Sequence, residues 1–177
     1  LVADVGATHP GVALALDGKL QTHTFHRYRN TDQSGVVGIL QKYISEHAPE
    51  ARPEAVCIDV AGPVGTNEGQ LTNLDWIITS AELCAATGAS FGAILNDMQA
   101  QGMALSHLHG NAFRSIVKGT AQSGNRMVVN IGTGFNSAVV LGDGPKLTVP
   151  GRQTGPGNLP LPIPHIAALP HYSSPPL

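Results

Sequence analysis

The sequence is poor in charge of either sign, in cysteine and in long apolar runs, and each scarcity removes a class of protein. Charged residues make up 12% of the 177, with ten Lys and Arg against twelve Asp and Glu for a formal net charge of -2. That balance lacks the basic excess needed to neutralise a phosphate backbone, so no nucleic-acid partner is expected. The longest apolar stretches, such as 91–95 and 127–131, fall far short of the ~20 residues that cross a bilayer. No membrane partner follows. Leu1 leads straight into strand-like sequence with no basic segment or cleavage site, and no export signal is expected. The two cysteines, Cys57 and Cys84, have neither metal-type nor redox-type spacing. They read as structural thiols in a reducing, cytoplasmic compartment.

What is present is the material for a core. With 42% apolar residues, a chain of this length buries about 70% of the surface its unfolded form exposes. That suffices for one compact domain, or for one domain and the start of another.

Apolar runs at 1–5 and 12–16 are followed by Asp17-Gly18 and a period-two stretch over 19–28. Asp-Gly between strand-like runs predicts a hairpin, because its turn needs positive φ. Three strands therefore open the chain. Asp32 is placed to cap a helix over 33–47, with Val36, Val37, Leu40, Tyr43 and Ile44 forming one stripe. Residues 55–61 are nearly all apolar and predict a strand covered on both faces. Thr79-Ser80-Ala81-Glu82 predicts a capping box, with Gly88 closing that helix. A strand at 91–95, a helix at 98–108 and strands at 114–118, 127–131 and 136–141 complete the pattern. This order predicts a mixed α/β fold with ligands at the carboxyl ends of strands. Eight of the thirteen prolines fall at or after Pro150, which predicts an irregular tail.

Three features carry chemistry. Asp4 ends a strand and leads into Gly6, Ala7 and Thr8, a turn whose amides suit an anion and whose carboxylate suits hydrated Mg²⁺. An ordinary turn explains it equally well. Gly132-Thr133-Gly134 offers bare amides and a hydroxyl between two strands, as any tight hairpin would. Asn96-Asp97 follows a strand at the mouth of a helix, either as a simple cap or as a base and its neighbour in a cleft. Two anion turns and one strand-end carboxylate form a minimal set for phosphoryl transfer, which needs alignment and charge neutralisation more than covalent help. The eight histidines are scattered, and the only close pair, His107 and His109, shares no helical face, so no metal site is expected there.

Five segments occur together in one order: Asp4-Val5-Gly6-Ala7-Thr8, Ala61-Gly62-Pro63-Val64, Leu71-Thr72-Asn73-Leu74-Asp75-Trp76, Leu95-Asn96-Asp97-Met98-Gln99-Ala100-Gln101 and Gly132-Thr133-Gly134-Phe135. In them the chain resembles the bacterial glucokinase family of actin-like sugar kinases, over roughly the first half of a full-length member. The resemblance implies a ribonuclease H-like, actin-like ATPase fold of two lobes: 1–109 as the first lobe, 110–150 as the opening strands of the second, and 151–177 as the Pro-rich tail. It implies ATP with Mg²⁺ and glucose in the cleft, and phosphorylation of the sugar 6-hydroxyl as the first step of glycolysis. Asp97 then resembles the catalytic base, and Asn96 a sugar ligand. Ala3, Asp4, Val5, Gly6, Ala7 and Thr8 resemble the first phosphate loop, with Asp4 holding Mg²⁺ through water, and Thr133 and Gly134 resemble the second. Gln99, Gln101 and Trp76 read as structural.

The chain also departs from that family's pattern. Ala7 replaces a glycine, His9 an asparagine and Gly11 an arginine, and 151–158 offers neither the Glu nor the His that the pattern places there. A catalytically silent sugar-binding relative, a truncated copy and a kinase for another hexose therefore stand as alternatives, and homodimerisation stays open.

Overall fold

The computed structural model describes residues 1–150 apart from 7, 73, 109, 121, 123, 132–134 and 143–146, and leaves out the side chain of Phe135. The elements run β1 (Val2–Val5), β2 (Gly11–Ala13), β3 (Ala15–Leu16), β4 (Lys19–Leu20), β5 (His26–Arg27), α1 (Val36–His47) and β6 (Ala55–Val60). They continue with β7 (Glu68–Gln70), β8 (Ile77–Thr79), α2 (Ser80–Thr87), β9 (Phe91–Asn96), α3 (Asp97–Ala104), β10 (Arg126–Ile131) and β11 (Phe135–Val140). The main sheet has the order β5-β2-β1-β6-β9. β1, β6 and β9 are parallel, whereas β2 is antiparallel to both β1 and β5.

One face of this sheet carries the core. Ala3, Val5, Val12, Val56, Ile58 and Val60 pack against Ile39, Leu40 and Tyr43 of α1 and Leu83 of α2. Burying an aliphatic side chain of this size contributes about 1.5–3 kcal/mol. A second, smaller cluster joins Met98 of α3 to Ala138, Val140 and Val149, so α3 also packs against the β10–β11 ribbon.

Several local expectations hold for visible reasons. Asp17 and Gly18 both have positive φ, 51° and 72°, and turn β3 into β4. Thr79 Oγ1 accepts from Glu82 N at 3.2 Å while Glu82 Oε2 accepts from Thr79 N at 2.9 Å, and Gly88 closes α2 in the left-handed region. Trp76 packs at the main core.

Others need correction. The stretch 19–28 is broken by a 3-10 turn, Thr22–Thr24, in which Thr24 Oγ1 accepts from Leu14 N. Asp32 does not cap α1: the helix starts behind Gly35, and Asp32 instead accepts a hydrogen bond from the Thr31 hydroxyl. β6 is closed on one face only, since Cys57 and Asp59 are half-buried while Val56, Ile58 and Val60 are buried. α3 ends at Ala104 because the next amide bonds one residue short, Leu105 N to Gly102 O, tightening the last turn. Residues 114–118 form no strand. Ile116 and Val117 are 94% and 84% exposed, and β-propensity makes no strand where the side chains pack against nothing. The β7–β8 ribbon was not foreseen. The Pro-rich tail, 151–177, lies outside the described residues.

Candidate active site

Because β1, β6 and β9 run parallel, their carboxyl ends share one edge of the sheet. The register places Asp4 opposite Asp59 and Asp59 opposite Leu95, one residue before the strand-end Asn96. Asp97, the first residue of α3, completes a group of three carboxylates there. Asp59 responds to all of it: burial pushes its carboxyl up to about 7, the Asp4 and Asp97 charges add to the rise, and a hydrogen bond with Asp4 favours the protonated form.

Sequence reasoning passed over Asp59. The signal was available, since a lone charged residue inside an apolar run reading as a buried strand needs a partner or a function. Reading it required the β1–β6 register, which aligns it with Asp4.

Asn96 is buried and acts as the cap of α3. Its Oδ1 accepts from Met98 N at 2.9 Å, its Nδ2 donates to Gly62 O at 2.9 Å, and Gln99 Oε1 accepts from its backbone amide at 3.0 Å. The amide group retains one hydrogen and one lone pair beyond these bonds. Asp97 Oδ1 also accepts from Met98 N, at 2.8 Å. The start of α3 is thereby tied to the loop after β6. That loop tolerates no side chain at Gly62, where a Cβ would fall 1.9 Å from Gln70 O.

The loop after β1 is held from below by Asn30. Its Nδ2 donates to Gly6 O at 3.0 Å and its backbone amide donates to Thr8 O at 3.2 Å, while Tyr28 N donates to Pro10 O at 2.8 Å. These bonds fix the carbonyls of the turn. Gly6 is half-buried and Thr8 exposed, and a Cβ at Gly6 would meet nothing within 4 Å. Ala3 and Val5 are buried in the main core, so from this segment the strand-end Asp4, with Gly6 and Thr8, faces outward. Ala7, Thr133 and Gly134 lie outside the described residues.

The half-covered face of the sheet holds a groove of about 280 Å³, walled by Ala13, Leu20, Phe25 and Leu95 and bordered by Asp4 and Asp59. Among the described residues no three His, Cys, Asp or Glu side chains gather as metal ligands, and His109 is not described. A site with one exposed carboxylate, Asp4, nevertheless fits Mg²⁺, which keeps several waters and is held through one or two carboxylates and substrate phosphates. No helix among the described residues is long and apolar enough to cross a membrane.

A family profile described as glucokinase matches residues 1–160. The glucokinase of Sinorhizobium medicae strain WSM419 is 31% identical over 155 residues, 85% of this chain and 41% of its own length. That of Brucella abortus strain 2308 is 30% identical over 139 residues, 78% of this chain and 40% of its own length. The chain therefore spans about two fifths of the length of these curated relatives. A crystal structure of glucokinase from an Antarctic psychrotroph superposes with a TM-score of 0.71 at 27% identity, over 84% of this chain and 48% of that one. The glucokinase of Balamuthia mandrillaris in complex with glucose has a TM-score of 0.53 at 20% identity, over 84% of this chain and 46% of that one, a likeness of fold alone. The fold is the mixed α/β, actin-like ATPase arrangement of the N-terminal region of such enzymes.

Proposed function

The chain belongs to the glucokinase family, and from that premise we propose that it carries the base and the phosphate loops of an ATP-dependent kinase acting on the 6-hydroxyl of glucose. The observation that supports this reading is the meeting of Asp97 with Asp4 and Asp59 at one edge of the parallel strands.

Asp97 orients the sugar hydroxyl and takes its proton as the oxygen bonds to the γ-phosphorus and the β–γ bridging oxygen leaves with ADP. Phosphoryl transfer depends chiefly on such alignment and on neutralising the phosphate oxygens. Asn96 holds the sugar through the amide hydrogen and lone pair left free by its capping bonds. Gly6, Ala7 and Thr8, reached from Ala3, Asp4 and Val5, present amides to the phosphates, and Thr133 and Gly134 do so from the second turn. Asp4 would hold Mg²⁺ through water, and the ion would offset charge on the phosphate oxygens. The chain divides at about residue 109, with 1–109 as the first lobe, 110–150 as the opening of the second and 151–177 as its tail, and α3 packs its Met98 against Ala138 and Val140 across that division. The reaction belongs to the cytoplasm, at the start of glycolysis.

One observation favours a second reading, a sugar-binding relative without turnover. Gly11 sits under the ring of Phe25 where the family pattern carries arginine, so the usual cation is missing from that strand. A coupled assay of glucose 6-phosphate formation separates the two. ATP-dependent turnover that falls by about 10²–10⁴ in Asp97→Asn, with glucose affinity retained, is the outcome expected of a positioned base. Glucose binding by calorimetry with no turnover supports the silent relative, and an Asp97→Asn variant with unchanged rate removes Asp97 from the chemistry.

A further inference from the structure

One row of residues crosses the main sheet at its carboxyl edge. Arg27 of β5 pairs with Gly11 of β2, Gly11 pairs with Asp4 of β1, and Asp4 pairs with Asp59 of β6. Residues paired across a sheet project to the same face. The row therefore reads cation, bare backbone, carboxylate, carboxylate, at the end of the strands where α/β proteins take their ligands.

The bare position is filled by a ring. A Cβ at Gly11 would fall 2.6 Å from Cε2 of Phe25, so no side chain fits at position 11 while that ring is there. Phe25 in turn carries the Arg27 guanidinium, whose central carbon lies 5.7 Å from the ring centroid. A guanidinium over an aromatic face is held by the ring's quadrupole yet keeps its N–H donors free. Arg27 is exposed and forms no ion pair among the described residues. A cation so placed is oriented without being neutralised. The two ends of the row complement each other, because a polyphosphate needs donors for its oxygens beside a carboxylate for its metal ion.

We propose that Arg27 is the phosphate-binding cation of the first loop, carried on β5 and aimed across Gly11 by the Phe25 ring. The inference rests on the nucleotide half of the function proposed above. Arginine suits the task better than lysine, since its planar fork engages two phosphate oxygens at once. Arg27 and Asp4 lie two strands apart, about 10 Å at ordinary strand spacing, with the Phe25 ring over Gly11 between them, a span that a polyphosphate can bridge across the ring.

The test is calorimetric titration of the 177-residue chain with Mg-ATP and, separately, with glucose. Arg27→Gln is expected to weaken Mg-ATP binding at least tenfold, with glucose affinity and melting temperature unchanged, and Arg27→Lys to fall between. Moving the cation back should restore the grip: the triple variant Gly11→Arg, Phe25→Ala, Arg27→Gln is expected to regain Mg-ATP affinity to within about threefold. An Arg27→Gln chain that binds Mg-ATP as tightly as the parent overturns the role of Arg27 alone. A parent chain that binds glucose but takes up no Mg-ATP overturns the nucleotide reading itself, and Arg27 falls with it.

Discussion

The five-stranded sheet and the β10–β11 ribbon are built from similar apolar strands and end in different states. In the sheet, α1 and α2 close one whole face and bury Ile39, Leu40, Tyr43 and Ile58 completely. Among the described residues, one helix packs on the ribbon, α3. The ribbon buries Ala138 and Val140 against Met98 and leaves Met127, Val129 and Ile131 from 41% to 64% exposed. Composition of a strand thus does not set its burial; the partner does. The candidate site follows the same division: Asp4, Asp59 and Asp97 are fixed by the closed sheet, and whatever the second turn contributes comes from the open ribbon.

The widest test of this contrast is a pair of truncations. Ile58→Ala should cost about 2–5 kcal/mol by urea denaturation, the range for emptying a packed aliphatic site. Met127→Ala should change stability by less than about 0.5 kcal/mol, as expected of an exposed side chain. Equal costs would show that the ribbon is as well packed as the sheet. A smaller effect comes from the junction between them. Asn96→Ala removes the cap of α3 and leaves Gly62 O without its donor, for a loss of about 2 kcal/mol. Asn96→Ser keeps a capping oxygen and loses the link to Gly62, so it should fall between Asn96→Ala and the parent. If both variants melt like the parent, the loop after β6 is not held by α3.

Local chemistry accounts for what was legible in the sequence. The Asp17-Gly18 turn and the Thr79–Glu82 box are written in contiguous residues, and both formed as read. The place of Asp97, straight after a strand and at the start of a helix, was legible from the same local chemistry. What failed depended on distant partners. Asp32 has the right chemistry for a cap, but the 3-10 turn Asn30–Asp32 directs it elsewhere. Residues 114–118 have strand-like content but pack against nothing that would bury it, Ile116 and Val117 being exposed. Asp59 became meaningful only once β1 and β6 were paired, and Arg27 only once β5 was laid against β2.

The smallest expected effect lies in the pH dependence of the closed sheet, through Asp59. Its carboxyl titrates near 3.8 when unfolded and near 7 when folded, so between these values the native chain holds a proton that the unfolded chain has lost. Stability from this group is then full below about pH 4 and is lost as the pH rises to about 7. Because Asp59 is only half-buried, solvent reduces the effect to about 1–2 kcal/mol. Asp59→Asn keeps the hydrogen bond to Asp4 and cannot ionise. Urea denaturation at pH 5 and pH 8 should show the parent losing more stability than the variant over that interval, with Asp59→Asn the more stable chain at pH 8. If the two lose stability in parallel, Asp59 does not share a proton with Asp4, and the strand-end carboxylates are too far apart to act on one ligand.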